Sequence, residues 1–254
     1  MTKAKSQAVS TVEQNDQLPA FLQNQTTTRG SEDVGTDDLV IPRLELCQAL
    51  SPCLKKKDPA YIEGIEEGML YNNITREIYG PSVVVCPVIF KKEYLLWRDR
   101  KNDVGGFHGA YSGLDDAEAA RADLERPENV EAVDTHQHFC LIVNTATGET
   151  EEIAISMARS KRKPSKNWNS LIRINGGDRF SRLYVVASVD DSSDQGDYQN
   201  LQVSNFGFVT EEIYRKAEEL YEAVSAGHVS VDRTEDERTG DTIDGEAEEE
   251  TGEF

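Results

Sequence analysis

The run Ser82 to Trp97, SVVVCPVIFKKEYLLW, is rich in β-branched and aromatic residues and carries Pro87 in its interior. Such residues suit a pleated, half-buried surface. Proline has no N–H to give to a ladder, so the run is an edge strand, a bulged strand, or two strands with a break at Pro87. Other strand signals surround it. His136 to Asn144 and Glu151 to Ser156 flank a Gly-bearing loop, Thr145 to Glu149, and read as a hairpin. Met69 to Asn72 and Glu77 to Tyr79 form a second candidate hairpin. Phe180 to Val189 and Tyr198 to Phe208 are joined by a polar turn tract, Asp190 to Asp197.

Helix signals are fewer. Asp115 to Glu125 is Ala-rich and opens with acids, which suits the helix dipole. Ser165 to Ile174 follows Pro164 and reads as a short helix. Thr210 to Ala226 is the clearest: Thr210 is a candidate N-cap, Ile213, Ala217, Leu220, Tyr221 and Val224 share one face, and Gly227 ends it. Many short strands with few helices predict a mainly β (α+β) fold, a small antiparallel barrel decorated with insertions and followed by a C-terminal helix.

The folded unit is expected at residues 38–230, which hold nearly all the aromatics and branched aliphatics. Residues 1–37 are a polar tract rich in Gln, Thr, Ser and Asn, expected to be a disordered arm. Residues 231–254 carry 11 acids and two bases and are expected to stay extended as a disordered acidic tail. No run of about 18 apolar residues exists, which excludes a membrane-spanning helix. The N-terminal residues MTKAKSQAVS contain no apolar signal core, so a cytoplasmic location and four reduced cysteines (Cys47, Cys53, Cys86, Cys140) are expected.

Signs of an enzyme are weak. His136, His138 and Cys140 alternate and would share one strand face, but ligands at such spacing on one straight strand are poorly placed for a tetrahedron. No metal is assigned to them, and no other cofactor. Gly105 to Gly109 lacks the Lys-Ser/Thr of a phosphate-binding loop. The sequence contains no nucleophile elbow. A binding protein is the expectation.

The formal net charge is -20, yet it is unevenly spread. Between Ile155 and Arg182 stand eight bases (Arg159, Lys161, Arg162, Lys163, Lys166, Arg173, Arg179 and Arg182) against one acid, Asp178. Lys91, Lys92, Arg98, Arg100 and Lys101 add a second basic segment interleaved with Tyr94 and Trp97, and Lys55 to Lys57 a third. Cations that neutralise phosphates, mixed with rings that stack on unpaired bases, are what a single-stranded nucleic-acid groove requires. The candidate DNA-binding set is therefore Lys91, Lys92, Tyr94, Trp97, Arg98, Arg100, Arg159, Lys161, Arg162, Lys163, Lys166, Trp168 and Arg173. Trp97 is equally readable as a core residue, because on an alternating strand Tyr94 and Trp97 cannot share a face unless a bulge intervenes. Trp168, flanked by Asn167 and Asn169, is expected to be exposed.

The tail ends Glu248-Glu249-Glu250-Thr251-Gly252-Glu253-Phe254. A terminal phenylalanine behind a polyanion can enter an apolar pocket while its carboxylate and Glu253 pair with a basic rim. The same tail can compete with DNA for the protein's own cations.

A basic β domain followed by an acidic tail ending in phenylalanine resembles the single-stranded DNA-binding proteins of tailed bacteriophages. Ile41 to Leu46 (IPRLEL), Asn72 to Tyr79 (NNITREIY) and the Val83 to Trp97 strand look like segments of such proteins. The resemblance implies an OB-fold core that coats exposed strands during replication and recombination, with the tail tip contacting polymerase, helicase or primase. It leaves open whether the protein is a homo-oligomer. Residues 38–230 exceed a minimal OB barrel. Three other functions compete: an acidic DNA mimic that regulates a host enzyme, a strand-annealing recombination protein and, as the enzyme alternative, a phage nuclease that would need a divalent metal.

Overall fold

The computed structural model describes residues 40–98, 106–194, 196–226 and 230–231. The expected N-terminal arm and acidic tail, including Glu248, Glu249, Glu250, Glu253 and Phe254, lie outside the described residues, as do Arg100 and Lys101.

Ten strands are antiparallel-paired or short, in the order β1 (Val40–Ile41), β2 (Leu44–Leu46), β3 (Leu70–Asn72), β4 (Ile78–Gly80), β5 (Ser82–Arg98), β6 (Gly106–Tyr111), β7 (Val130–Val143), β8 (Thr150–Ala158), β9 (Arg182–Ser193) and β10 (Gly196–Phe208); an eleventh, β11 (Ser230–Val231), pairs in parallel with β1. Three helices interrupt them: α1 (Leu114–Ala122), α2 (Arg162–Asn175) and α3 (Glu211–Ser225).

The run containing Pro87 is one central strand, β5. It pairs with β7 from Val85 to Arg98, and the ladder shifts register between Pro87 and Ile89. Of the three readings open for Pro87, the bulge is the one found. The other edge of β5 is shared, by β9 at Ser82 to Val85 and by β6 at Tyr94 to Arg98. The main sheet runs β10-β9-β5-β7-β8, with β6 attached to β5.

The fold is mainly antiparallel β with a C-terminal helix, as the pattern predicts. The sheet, however, does not close into a barrel: β8 and β10 end it on opposite sides without meeting. Closure would need those two strands to pair. Instead, the edge of β8 meets the segment entering β2, where Ala154 N–H donates to Pro42 O at 2.8 Å and Arg43 bridges Ala154.

Strand alternation divides the core into two faces. Val83, Val85, Cys140, Ile142, Ile153, Ile155 and Met157 point to one side, under α2; Val84, Cys86, Val88, Phe139, Leu141, Val143 and Ala154 point to the other, under α3. Each large aliphatic side chain buried in this way contributes about 1.5–3 kcal/mol. α3 starts as expected, with Thr210 Oγ1 accepting from Ile213 N–H at 3.3 Å. Ile213, Ala217, Leu220 and Val224 form its buried face, while Tyr221 stays exposed. α1 closes the far end of the α2 side over Leu96 and Val130.

Both expected hairpins form. In the β7–β8 turn, Asn144 Oδ1 accepts from Ala146 N–H at 3.0 Å and Thr147 N–H at 3.3 Å, and Gly148 adopts φ 78°. The β9–β10 hairpin is longer than expected, because most of Asp190 to Asp197 is itself strand. Among the described residues, no helix is long and apolar enough to cross a membrane.

Candidate nucleic-acid interface

Helix α2 organises the basic segment. A 3-10 turn (Arg159–Lys161) feeds it, Pro164 sits in its first turn where no intrahelical N–H is needed, and Gly176 stops it at φ 69°. The inner face holds Ser165, Trp168, Leu171 and Ile172 against the sheet. The outer face presents Lys163, Lys166, Ser170 and Arg173, all exposed and spaced three, four and three residues apart. This is one stripe of a 3.6-residue helix, with ends about 15 Å apart. The helix contains no acid from Arg162 to Asn175. Lys163, Lys166 and Arg173 form no salt bridge among the described residues.

The cations crowd the wrong end of the helix for an isolated protein. Arg159, Lys161, Arg162 and Lys163 stand at or before its N-terminus, where a positive charge is disfavoured by roughly 0.3–1 kcal/mol at exposed positions. A bound anion would relieve that repulsion, since helix N-termini accept anions through the same dipole.

The other expected DNA-binding residues are divided. Lys91 and Lys92 point to opposite faces of β5. Lys91 Nζ donates to Val224 O at 3.2 Å, at the end of α3. Lys92 is on the α2 side, 3.4 Å from Asp134 and donating to Tyr94 Oη at 2.7 Å. Tyr94 pairs with Asp134 and Trp97 with Glu131 in an unshifted stretch of the β5–β7 ladder, so the two rings lie on opposite faces. Among the described residues, the ladder irregularity near Trp97 is on the β6 side. Trp97 is half-buried against Phe107, ring centroids 5.4 Å apart. Arg98 donates to His108 Nε2 at 3.1 Å and to Glu125 O.

Two more of the basic residues are held by carboxylates of β7: Arg159 by Glu131 at 2.6 Å and Arg162 by Asp134 at 2.6 Å. Lys161 is half-buried. Lys55, Lys56 and Lys57 are exposed after the turn Pro52–Leu54, beside a separate small core of Cys47, Cys53, Ile62, Ile65 and Tyr71.

Trp168 is a correction. Its exposure is 0 %. The indole stacks on His138 and meets Tyr184 edge-on at 6.0 Å. It therefore has no face for a nucleobase. The polar neighbours Asn167 and Asn169 misled, because in a helix residues one apart point about 100° away from each other.

Beneath Trp168 lies a polar chain whose order is set from Arg179. Arg179 only donates, so His138 Nδ1 accepts from it at 2.8 Å. Neutral His138 then carries its proton on Nε2 and donates to Ser165 Oγ at 2.7 Å. Ser165 Oγ also shares a hydrogen bond with His136 Nδ1, again at 2.7 Å. Burial, with Arg179 and His136 adding to it, holds His138 well below the usual histidine range; burial also lowers His136. Among the described residues no group of three or more His, Cys, Asp or Glu is gathered as a metal site.

The sequence reading missed two exposed rings. Phe206 and Phe208, at the end of β10, are 52 % and 71 % exposed. The Arg182 guanidinium lies 4.0 Å from the Phe208 ring centroid. The available signal was the Asn205-Phe206-Gly207-Phe208 string, where two aromatics alternate with small or polar residues at a strand end.

The sequence model of the Pam3 phage gp34-like protein family matches residues 11–230. The chain belongs to this family. A bacteriophage protein is thereby supported. The gp34-like match takes in α2, both flanking hairpins and the edge strand β10, and leaves the acidic residues 231–254 outside. Among curated proteins and among solved structures, none matches this gp34-like chain.

Proposed function

We propose that this gp34-like protein is a sequence-independent single-stranded DNA-binding protein, not an enzyme, that coats exposed strands in phage DNA replication and recombination. Its place of action is the cytoplasm of the bacterial host. The acidic tail, ending in Phe254, recruits polymerase, helicase or primase and competes with DNA for the cations.

One observation carries the reading: the acid-free outer stripe of α2, where Lys163, Lys166 and Arg173 form no salt bridge among the described residues in a chain of net charge -20, the one carboxylate acting on the stripe being Asp191 of β9, near Lys163. Arg159 and Arg162, by contrast, are held by Glu131 and Asp134. Free cations set in one row match a row of phosphates. The strand would run along the helix, not through a barrel groove.

A hydrolase reading draws no support from Ser165, His136 and Asp134. That order of groups resembles a nucleophile, a base and its orienting acid, but Ser165 is 0 % exposed and its hydroxyl is engaged by both imidazoles. The trio anchors α2 to β7.

The test is fluorescence anisotropy of labelled oligo-dT with the full chain across a salt series. Binding that weakens steeply with salt and tightens when residues 231–254 are deleted is the expected result. An absence of binding at low salt, with and without the tail, would end this reading and favour the acidic DNA mimic.

A further inference from the structure

We infer that Phe206 and Phe208 form a stacking platform for unpaired nucleobases, with Arg182 as its cationic back wall. The inference rests on the reading of α2 as the phosphate track and names where the bases go.

Four observations support it. First, both rings are displayed to solvent, Phe208 held only by the Arg182 guanidinium among the contacts described for it. Second, the ladder between β9 and β10 shifts register between Asn205 and Gly207, so Phe206 is an extra residue without a partner on β9. Bulges of this kind re-aim side chains at sheet edges. A side-chain carbon added at Gly207 would meet nothing within 4 Å, so the strand is uncovered on that side of the bulge.

Third, the platform continues the cationic stripe. Asn175, at the end of α2, donates to Asn205 Oδ1 at 2.8 Å. That contact sets the last turn of the helix, with Arg173, against the bulge. Fourth, the acids near the platform and stripe are engaged: Asp191, the carboxylate that acts on Lys163 at the far end of the stripe, accepts from Tyr198 Oη at 3.0 Å and Asn200 Nδ2 at 2.7 Å. From Tyr198 to Phe208 the strand bears no charged residue. Asp178, the lone acid of the basic segment, accepts from Tyr214 Oη at 2.6 Å. Glu211 and Glu212, which follow β10, are paired with Arg215 and Lys216 on their own helix. A strand whose phosphates follow Lys163, Lys166 and Arg173 thus delivers its bases to two rings, and Arg182 can serve a phosphate while stacked on Phe208.

The test compares the full chain with a Phe206→Ala/Phe208→Ala variant and with a Lys163→Ala/Lys166→Ala/Arg173→Ala variant. Each is titrated against labelled oligo-dT and against an abasic oligonucleotide of the same length. The phenylalanine variant should keep the wild-type melting temperature, lose about 30-fold or more affinity for oligo-dT, and bind the abasic strand as the wild type does. Its salt dependence should be unchanged. A Phe208→Trp variant should show indole quenching on oligo-dT and none on the abasic strand. Equal affinity of wild type and phenylalanine variant for oligo-dT, while the cation variant still weakens, would overturn the platform and leave the α2 reading standing. So would equal losses on both oligonucleotides, or loss of self-association with DNA binding intact, which would assign the rings to a second copy of the chain. A wild type that binds neither oligonucleotide would defeat the α2 reading itself.

Discussion

The imidazole of His138 lies flat against the indole of Trp168, ring centroids 4.5 Å apart and planes 13° apart. The contact joins the centre of β7 to the inner face of α2, and Arg179 adds a cation 5.9 Å from the indole centroid. Trp168 is therefore a packing residue. Trp168→Ala should cost about 3–5 kcal/mol of stability, measured by urea denaturation. Its effect on oligo-dT binding should vanish once the folded fraction is accounted for. An unchanged unfolding midpoint would show that the indole is not in the core.

The same pair gives a pH dependence. Both His138 and His136 are lowered in the folded protein, chiefly by burial. The unfolded chain then binds more protons than the native one once the pH drops below the ordinary histidine value of about 6.5. Stability should be level above that point and fall below it, by up to about 1.4 kcal/mol per pH unit for each histidine, until each folded-state value is reached. Urea midpoints at about pH 7.5, 6.5 and 5.5 bracket this window. An equal midpoint at all three would contradict neutral, buried imidazoles.

Much of this arrangement was legible beforehand, and the failures have physical causes. Strand alternation put His136, His138 and Cys140 on one face of β7 and Tyr94 and Trp97 on opposite faces of β5, because successive side chains of a strand alternate. α3 was legible from its N-cap and its apolar stripe. Trp168 was not, because helical neighbours such as Asn167 and Asn169 say nothing about the face a residue occupies. The open sheet was not either: alternation tells which side of a strand is buried, not which strand lies beside it. Charge counting likewise overstated the site. Arg159 and Arg162 are answered by Glu131 and Asp134, acids brought alongside by the sheet from nearly thirty residues earlier in the chain. Phe206 and Phe208 escaped notice because a β-rich string reads as core until its bulge and its edge position are known.

Asn72 fastens the small three-stranded sheet to β8. Its Oδ1 accepts from Ile74 N–H at 2.8 Å and Thr75 N–H at 3.0 Å, shaping the turn, while Nδ2 donates to Glu151 Oε1 at 2.6 Å. Tyr79 Oη donates to the other oxygen of Glu151 at 2.8 Å. Asn72→Ala should therefore destabilise by about 2–3 kcal/mol, since it strands a carboxylate oxygen and two backbone donors. Tyr79→Phe, which removes a single donor, should cost about 1–1.5 kcal/mol. The order of the two unfolding midpoints checks the assignment.

The cations of α2 divide into two groups that salt dependence can tell apart. Lys163, Lys166 and Arg173 face solvent without a salt bridge among the described residues, Lys163 alone being near a carboxylate, Asp191, so each neutralised phosphate should release counterions. Replacing any one of them by alanine should reduce the slope of log affinity against log salt by about 0.7 on a single strand. Stability should stay within about 0.5 kcal/mol of wild type, as for an exposed substitution. Arg162 is committed to Asp134 at 2.6 Å, beside Lys92. Arg162→Ala should leave the slope nearly unchanged and instead lower stability modestly, because Asp134 loses its nearer partner. If Arg162→Ala and Lys166→Ala reduced the slope equally, the phosphates would be following the strand face near Asp134, and the outer stripe of α2 would lose its role.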